Sequence, residues 1–159
     1  DCLIKSIKEN WKKFGKPQKL IFSYHGVPKK YLLRGDPYHC FCQKTTRLVA
    51  EKMKLKEKEY MTTFQSRFGP DEWLQPYTDK TLEELPSKNV KKINIISPGF
   101  SSDCLETLEE LEIQNREIFM SCGGKKFNYI KCLNDNPKHL NMLALLILNH
   151  LKGWPGYNK

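Results

Sequence analysis

The stretch KKINIISPGFSSDCLETLEELE, residues 91 to 112, constrains this chain more than any other. Ile93, Ile95 and Ile96 are β-branched residues that favour a buried strand, and Pro98-Gly99 supplies its stop. Asp103 then predicts a helix N-cap, with Glu106 three residues on completing a capping box. The helix is expected over 104–121, closed by Gly123-Gly124. Glu106 and Glu110 stand four apart and share one face of it. Like charges so placed cost an isolated helix about 0.2–0.5 kcal/mol. Either solvent makes that row trivial or the row has a use.

The rest of the chain repeats the same alternation. Residues 2 to 14 read as an amphipathic helix with Leu3, Ile4, Ile7, Trp11 and Phe14 on one side, ended by Gly15 and Pro17. KLIFSY, 19–24, is a short apolar strand running into HGVP, and Tyr31 to Arg34 reads as a connection. Gly35-Asp36-Pro37 then gives a turn residue, an N-cap and a proline at the first helical position, opening a helix to about Leu55 with Thr46, Leu48, Val49 and Met53 as contacts. YMTTFQ, 60–65, is the second strand. SRFGPDEWLQPYTD follows, a loop long enough in a compact domain to suggest function. A short helix is expected from Thr81, a fourth strand over 127–130, a cap at Asn134-Asp135-Asn136-Pro137, and an apolar helix to about Leu151. Separations too long for hairpins imply βαβ units. The fold class is therefore α/β, a roughly four-stranded parallel sheet flanked by helices on both faces.

The totals bound the functions. A chain of 159 residues suffices for one ordinary domain. With 27 Lys and Arg against 18 Asp and Glu its formal charge is +9, a balance that suits an anionic membrane surface or a carboxylate-bearing ligand. The cations are spread over exposed faces and no nucleic-acid motif appears, so no nucleic-acid partner is expected. Six cysteines include no CxxC pair, and reduced thiols are expected. Leu140 to Leu151 is short of the ~20 apolar residues that cross a bilayer. The opening residues do not read as a signal peptide, and they suggest the back half of a helix that starts upstream.

In an open parallel sheet, ligands sit outside the carboxyl ends of the strands. That rule brings HGVP, QSRFGPDEW, PGFSSD and LNDNP to one edge. It places His25 and Glu106 in one crevice, with Trp73 and Phe100 at its rim and His25 as the single histidine there. Taken singly each residue has a bland reading. His25 can be a hydrogen-bonded structural residue, Glu106 a capping residue, Glu109, Glu110 and Glu112 a solvated face, and Trp73 and Phe100 core. His39, Cys40 and Cys42 invite a metal, but on a helix they do not converge on one face.

Together SYHGVP at 23–28, RGDPY at 34–38, TFQSRFGPDEWLQPYTD at 63–79, PGFSSDCLETLEE at 98–110 and GGKKFNYIKCLND at 123–135 resemble ferrochelatase. That enzyme inserts ferrous iron into protoporphyrin IX at the last step of haem synthesis. The wording is similar to that of Gram-negative bacterial members. The matches cover nearly all of residues 18 to 150 and correspond to the C-terminal half of a protein with two similar chelatase-type, Rossmann-like domains. The resemblance implies the end of the inter-domain helix and a linker at 1–17, a C-terminal chelatase domain at 18–152, a frayed tail at 153–159, and an N-terminal chelatase domain outside this chain.

By the same resemblance, His25 and Glu106 face the macrocycle centre, where they bind the metal or accept pyrrole protons. Glu110 and Glu112 match an acidic path leading away, on a helix widened to a π-type turn, and Trp73 and Phe100 match residues near the porphyrin pocket. Arg67 is added on charge alone, as a cation for the porphyrin propionates. Chemically the pairing is sound: an imidazole with an ordinary pKa of about 6.5 serves as base or as borderline ligand for Fe²⁺, and a carboxylate neutralises the metal. Close carboxylates are expected to raise one another's pKa. Cys104 stands where animal members often carry histidine. No cysteine follows Cys132, so no iron–sulfur cluster and no permanently bound cofactor are expected, with Fe²⁺ as substrate. The implied compartment is the cytoplasm, at the inner face of the membrane or free of it, or the mitochondrial matrix in a eukaryote. The face meant for the other half should be apolar, which leaves room for a homodimer. Two rivals keep the fold: a chelatase of another metal and ring, such as cobalt chelatase, and a non-enzymatic remnant that binds porphyrin, haem or a protein partner.

Overall fold

The computed structural model describes residues 1–156; the end of the expected frayed tail, 157–159, lies outside the described residues. Four strands, β1 (Lys19–His25), β2 (Tyr60–Gln65), β3 (Lys92–Ile96) and β4 (Lys126–Ile130), form one sheet in the order β2-β1-β3-β4. All three pairings are parallel. Period-two alternation divides the core between the two faces. Leu20, Phe22 and Tyr24 of β1 pack with Ile7, Cys42, Val49 and Phe64 on one side. Ile21 packs with Leu82, Ile93, Ile95, Leu111, Phe119 and Phe127 on the other.

Helix α1 (Cys2–Phe14) lays Ile7 into the first cluster and ends where Gly15, at φ 85°, returns its N–H to the Trp11 carbonyl. Helix α3 (Tyr38–Met53) covers the same face through Cys42, Thr46, Val49 and Ala50. Asp36 holds its first turn by accepting the Tyr38 N–H at 2.8 Å. Helix α4 (Thr78–Glu84) and the long acidic segment cover the opposite face, so helices flank both sides as expected. Two stripe assignments fail: Phe14 is 40% and Leu48 43% exposed.

Local boundaries also differ from the sequence expectation. Tyr31 to Arg34 is no plain connection, because a short helix α2 (Lys29–Leu33) occupies it. Helix α4 begins at Thr78, three residues ahead of Thr81, because the Thr78 hydroxyl is buried against Ser23 and Thr63. The acidic segment is three pieces: α5 (Leu105–Thr107), a π-helical stretch over Leu108–Gln114, and α6 (Asn115–Ser121). The Asn115 N–H reaches the Glu110 carbonyl, five residues back, as a π-turn requires. The widening implied by the resemblance is therefore present.

The Asp103–Glu106 capping box does not form. Cys104 is the N-cap, and its N–H donates to Thr107 Oγ1 at 2.9 Å. Asp103 instead ties the start of α5 to the end of β4, accepting from Tyr129 Oη at 2.6 Å, Asn134 Nδ2 at 2.8 Å, and Thr107 Oγ1 and the Cys132 N–H at 3.2 Å each. These donors outcompete the local amide. Helix α7 (Pro137–Leu151) starts at Asn136, whose side chain accepts the Lys138 N–H as expected. No helix among the described residues is long and apolar enough to cross a membrane.

Candidate functional site

The register fixes which strand ends meet. His25 is level with Gln65, while Ile96 ends level with Phe22, so the loop after β3 climbs alongside Ser23 to His25. Connections leave β1 and β3 in opposite directions, toward β2 and β4 respectively. The gap between them is the topological switch point at which open α/β sheets bind ligands.

His25 closes β1 there, half-buried, with its Nδ1 2.7 Å from the Gly26 carbonyl oxygen. A carbonyl only accepts, so Nδ1 carries the proton and the lone pair of the neutral ring is on Nε2. Trp73 and Phe100 flank the ring at centroid distances of 6.4 and 6.3 Å. Trp73 is 5% exposed and its indole N–H is buried without a partner, while Phe100 is half-buried. Trp73 is held close because Gly26 has no side chain: a Cβ there would lie 3.0 Å from the indole and 2.9 Å from the Gln65 carbonyl.

Glu106, on α5, is brought to the same edge by its backbone carbonyl, which accepts Gln65 Nε2 at 2.7 Å beside His25. Its carboxyl is held below the usual carboxylate range, first by the hydrogen bond from the Cys104 thiol, then by its own backbone N–H and by the charge of His25. The expected mutual upward push of neighbouring carboxylates does not govern it. Glu110 is held from β2: its carboxylate accepts the Ser66 N–H at 2.7 Å, the Ser66 hydroxyl, and Gln65 Nε2 at 3.4 Å. Ser66 sits at φ 62°, a left-handed conformation that presents both donors to one carboxylate.

Not every expected residue joins this group. Glu112 is paired with Arg116 at 3.8 Å, and Arg116 in turn donates to the Phe127 carbonyl of β4, away from the Glu106–Glu110 row. The Arg67 guanidinium binds both carboxylate oxygens of Asp79, at 2.6 and 2.8 Å, and lies over the Tyr77 ring at 4.2 Å. It lines a polar cavity of about 220 Å³ together with Glu110, Gln65 and Asn115.

Two residues of this edge escaped the sequence reading. Gln65, 3% exposed, donates to the Glu106 carbonyl at 2.7 Å and accepts from Ser23 Oγ at 2.7 Å, joining the strand floor to the widened helix. The signal was available, since Thr63 and Gln65 place two polar side chains on one face of a strand that should be buried. His139 is a second histidine near the edge, contrary to the expectation of one. It is 3% exposed, bonds the Asn134 carbonyl at 2.8 Å and shares a cavity with Phe100, so it is a structural histidine. That cavity, about 660 Å³, lies between the start of α1 and α7. All six cysteines are free thiols, and no group of three or more His, Cys, Asp or Glu among the described residues is placed to hold a metal.

Comparison with known proteins follows the same lines. The ferrochelatase family model matches residues 1–151. The ferrochelatase of Marinobacter nauticus is 56% identical over 154 residues, 97% of this chain but 42% of that protein. That of Pseudoalteromonas atlantica is also 56% identical over 154 residues, 97% of this chain and 43% of that protein. Ferrochelatase 2 of Shewanella oneidensis is 55% identical over 150 residues, 94% and 46% respectively. The chain thus spans under half the length of the curated relatives it matches. Among solved structures, the CbiX protein of Marinobacter aquaeolei VT8, assigned to cobalamin (vitamin B12) biosynthesis, aligns with a TM-score of 0.53 at 11% identity. It covers 86% of this chain and 98% of that one, a likeness of fold alone.

Proposed function

We infer that this chain, which belongs to the ferrochelatase family, is the metal-site half of an enzyme that inserts ferrous iron into protoporphyrin IX. The observation that carries the reading is the convergence of His25, Trp73 and Phe100 at the switch point of the sheet, where the Glu106 carbonyl is bonded to Gln65, the residue level with His25. Metallation must remove two pyrrole protons and strip water from the ion. With Nδ1 engaged by the Gly26 carbonyl, Nε2 of His25 offers its lone pair as base or ligand. Glu106, held ionised, offsets the charge of the incoming dication. Two protein ligands suffice because the macrocycle's own nitrogens complete the coordination. Glu110, one turn on and fixed by Ser66 and Gln65, receives protons leaving the site. Phe100, half-buried, is a flat wall for a flat ligand, and the buried Trp73 backs the His25 ring.

The rest of the cleft belongs to the other half. Helix α7 exposes Leu140, Leu145, Leu146 and Ile147, each 48–58% exposed, a patch larger than scattered surface residues explain. We assign that patch, and the cavity beside it, to the N-terminal half that the resemblance implies, the relatives being about twice this length. Insertion of Fe²⁺ or Zn²⁺ into protoporphyrin, followed by the porphyrin's absorption and fluorescence, tests this. The chain alone should show little turnover. Adding the N-terminal half of a relative should restore it, and His25→Ala or Glu106→Gln should abolish what is restored. Full turnover by the chain alone, or by the restored His25→Ala protein, contradicts the reading.

A further inference from the structure

We propose that Cys104 is a positioning residue for Glu106, its thiol setting the orientation of the carboxylate that meets the metal; this rests on the role given to Glu106 above. The Cys104 Sγ lies 3.0 Å from Glu106 Oε2, and it is the one side-chain donor that reaches this carboxylate among the described residues. The two acidic groups of the row are therefore held very differently. Glu110 is fixed by three donors on a neighbouring strand end. Glu106 has a single side-chain donor, a thiol two residues away in its own turn, beside its own backbone N–H.

That thiol is itself well anchored. Cys104 is the N-cap of α5, and its N–H is locked onto Thr107 Oγ1 at 2.9 Å. Thr107 is fully buried and further bonded to the Cys104 carbonyl and to Asp103. The backbone that carries the sulfur cannot drift without breaking this cluster. An S–H has one proton to give, so the thiol engages Oε2 and makes no claim on Oε1. The carboxylate is oriented and yet keeps an oxygen that no side chain engages. Because a thiol is a weak donor, an arriving cation can displace it without losing a strong hydrogen bond. Serine keeps a donor at this position, whereas alanine removes it; both keep the bond from the residue 104 N–H to Thr107 Oγ1.

Cobalt(II) binding to the 159-residue chain, followed by calorimetry and visible absorption, separates the alternatives. Wild type, Cys104→Ser, Cys104→Ala and Glu106→Gln are compared. Positioning predicts that Cys104→Ser binds within about threefold of wild type and Cys104→Ala about five- to tenfold more weakly. It also predicts no sulfur-to-cobalt charge-transfer absorption that depends on Cys104. If serine and alanine weaken binding equally and such a band is lost in both, the thiol is a direct ligand and the proposal fails. If Cys104→Ala binds like wild type while Glu106→Gln is weak, the proposal fails and the role of Glu106 survives. If Glu106→Gln also binds like wild type, that role fails and the inference goes with it.

Discussion

Replacing Asp103 by alanine separates a capping role from a tertiary one. As an N-cap its loss would cost about 1 kcal/mol. Its four donors suggest more, but they are not equal. Thr107 Oγ1 keeps the Cys104 carbonyl at 3.1 Å and Asn134 Nδ2 keeps the Cys132 carbonyl at 3.2 Å. Tyr129 Oη, on a residue 7% exposed, retains only the Cys132 sulfur at 3.4 Å, and the Cys132 N–H loses its acceptor. Two donors to a charged acceptor at about 1.5 kcal/mol each give about 3 kcal/mol. For a chain of this length that lowers Tm by about 6–12 °C. Burial opposes the Asp103 charge, but the bonds from Asn134, Tyr129 and Cys132 overcome it and hold the carboxyl below its ordinary value. A depressed carboxyl stabilises above its unfolded pKa and ceases to do so as acidity carries through the folded one. The gap between wild type and Asp103→Ala should therefore be full near neutrality and narrow below about pH 4. Urea unfolding at several pH values measures it. A loss under 1 kcal/mol near neutrality, with unchanged m, would refute the tertiary account.

Other perturbations test neighbouring steps. Gly124→Ala places a Cβ 2.3 Å from the Phe119 ring and 2.6 Å from its carbonyl, at a fully buried core residue, and should cost about 2–3 kcal/mol in chemical unfolding. Arg67→Gln breaks a partly exposed pair with Asp79 and should lower stability by under 1 kcal/mol. If Arg67 meets the propionates, the same variant in the completed enzyme should weaken porphyrin binding several-fold in a fluorescence titration, and unchanged binding removes that role. In the same assay Glu110→Gln should slow insertion while Glu112→Gln, whose carboxylate faces Arg116, should leave the rate within about twofold; equal effects would restore Glu112 to the acidic path.

The sheet was legible because hydrophobic period and turn chemistry agree: Leu20, Phe22 and Tyr24 alternate with Ile21, and proline or glycine follows each strand end that carries function. From the sheet alone, the switch-point rule puts His25 and Glu106 together. What sequence concealed was competition between partners. SSDCLE carries the pattern of an Asp-led capping box, yet Asp103 is claimed by Tyr129 of β4 and by Asn134 in the turn beyond it, so the cap passes to Cys104. The same blindness hid His139, which looks like one more polar position on a helix until the Asn134 carbonyl is seen to take its Nδ1.

Gln65 shows why the widened turn and the strand floor form one device. A π-turn spaces the acidic residues differently from a regular helix, and here it follows directly on the turn that carries Glu106. The Glu106 carbonyl takes Gln65 Nε2, and the same amide nitrogen reaches the Glu110 carboxylate. On its other side Gln65 Oε1 accepts from Ser23, which bonds Thr78, while Ser97 Oγ donates to the Ser23 carbonyl. Three strand ends and the start of α4 are thereby referred to one side chain. Such a buried network holds a geometry because an unpaired member is costly. The position of the Glu106 backbone relative to His25 is thus set by the sheet, and the one side-chain restraint on its carboxylate is the contact with Cys104.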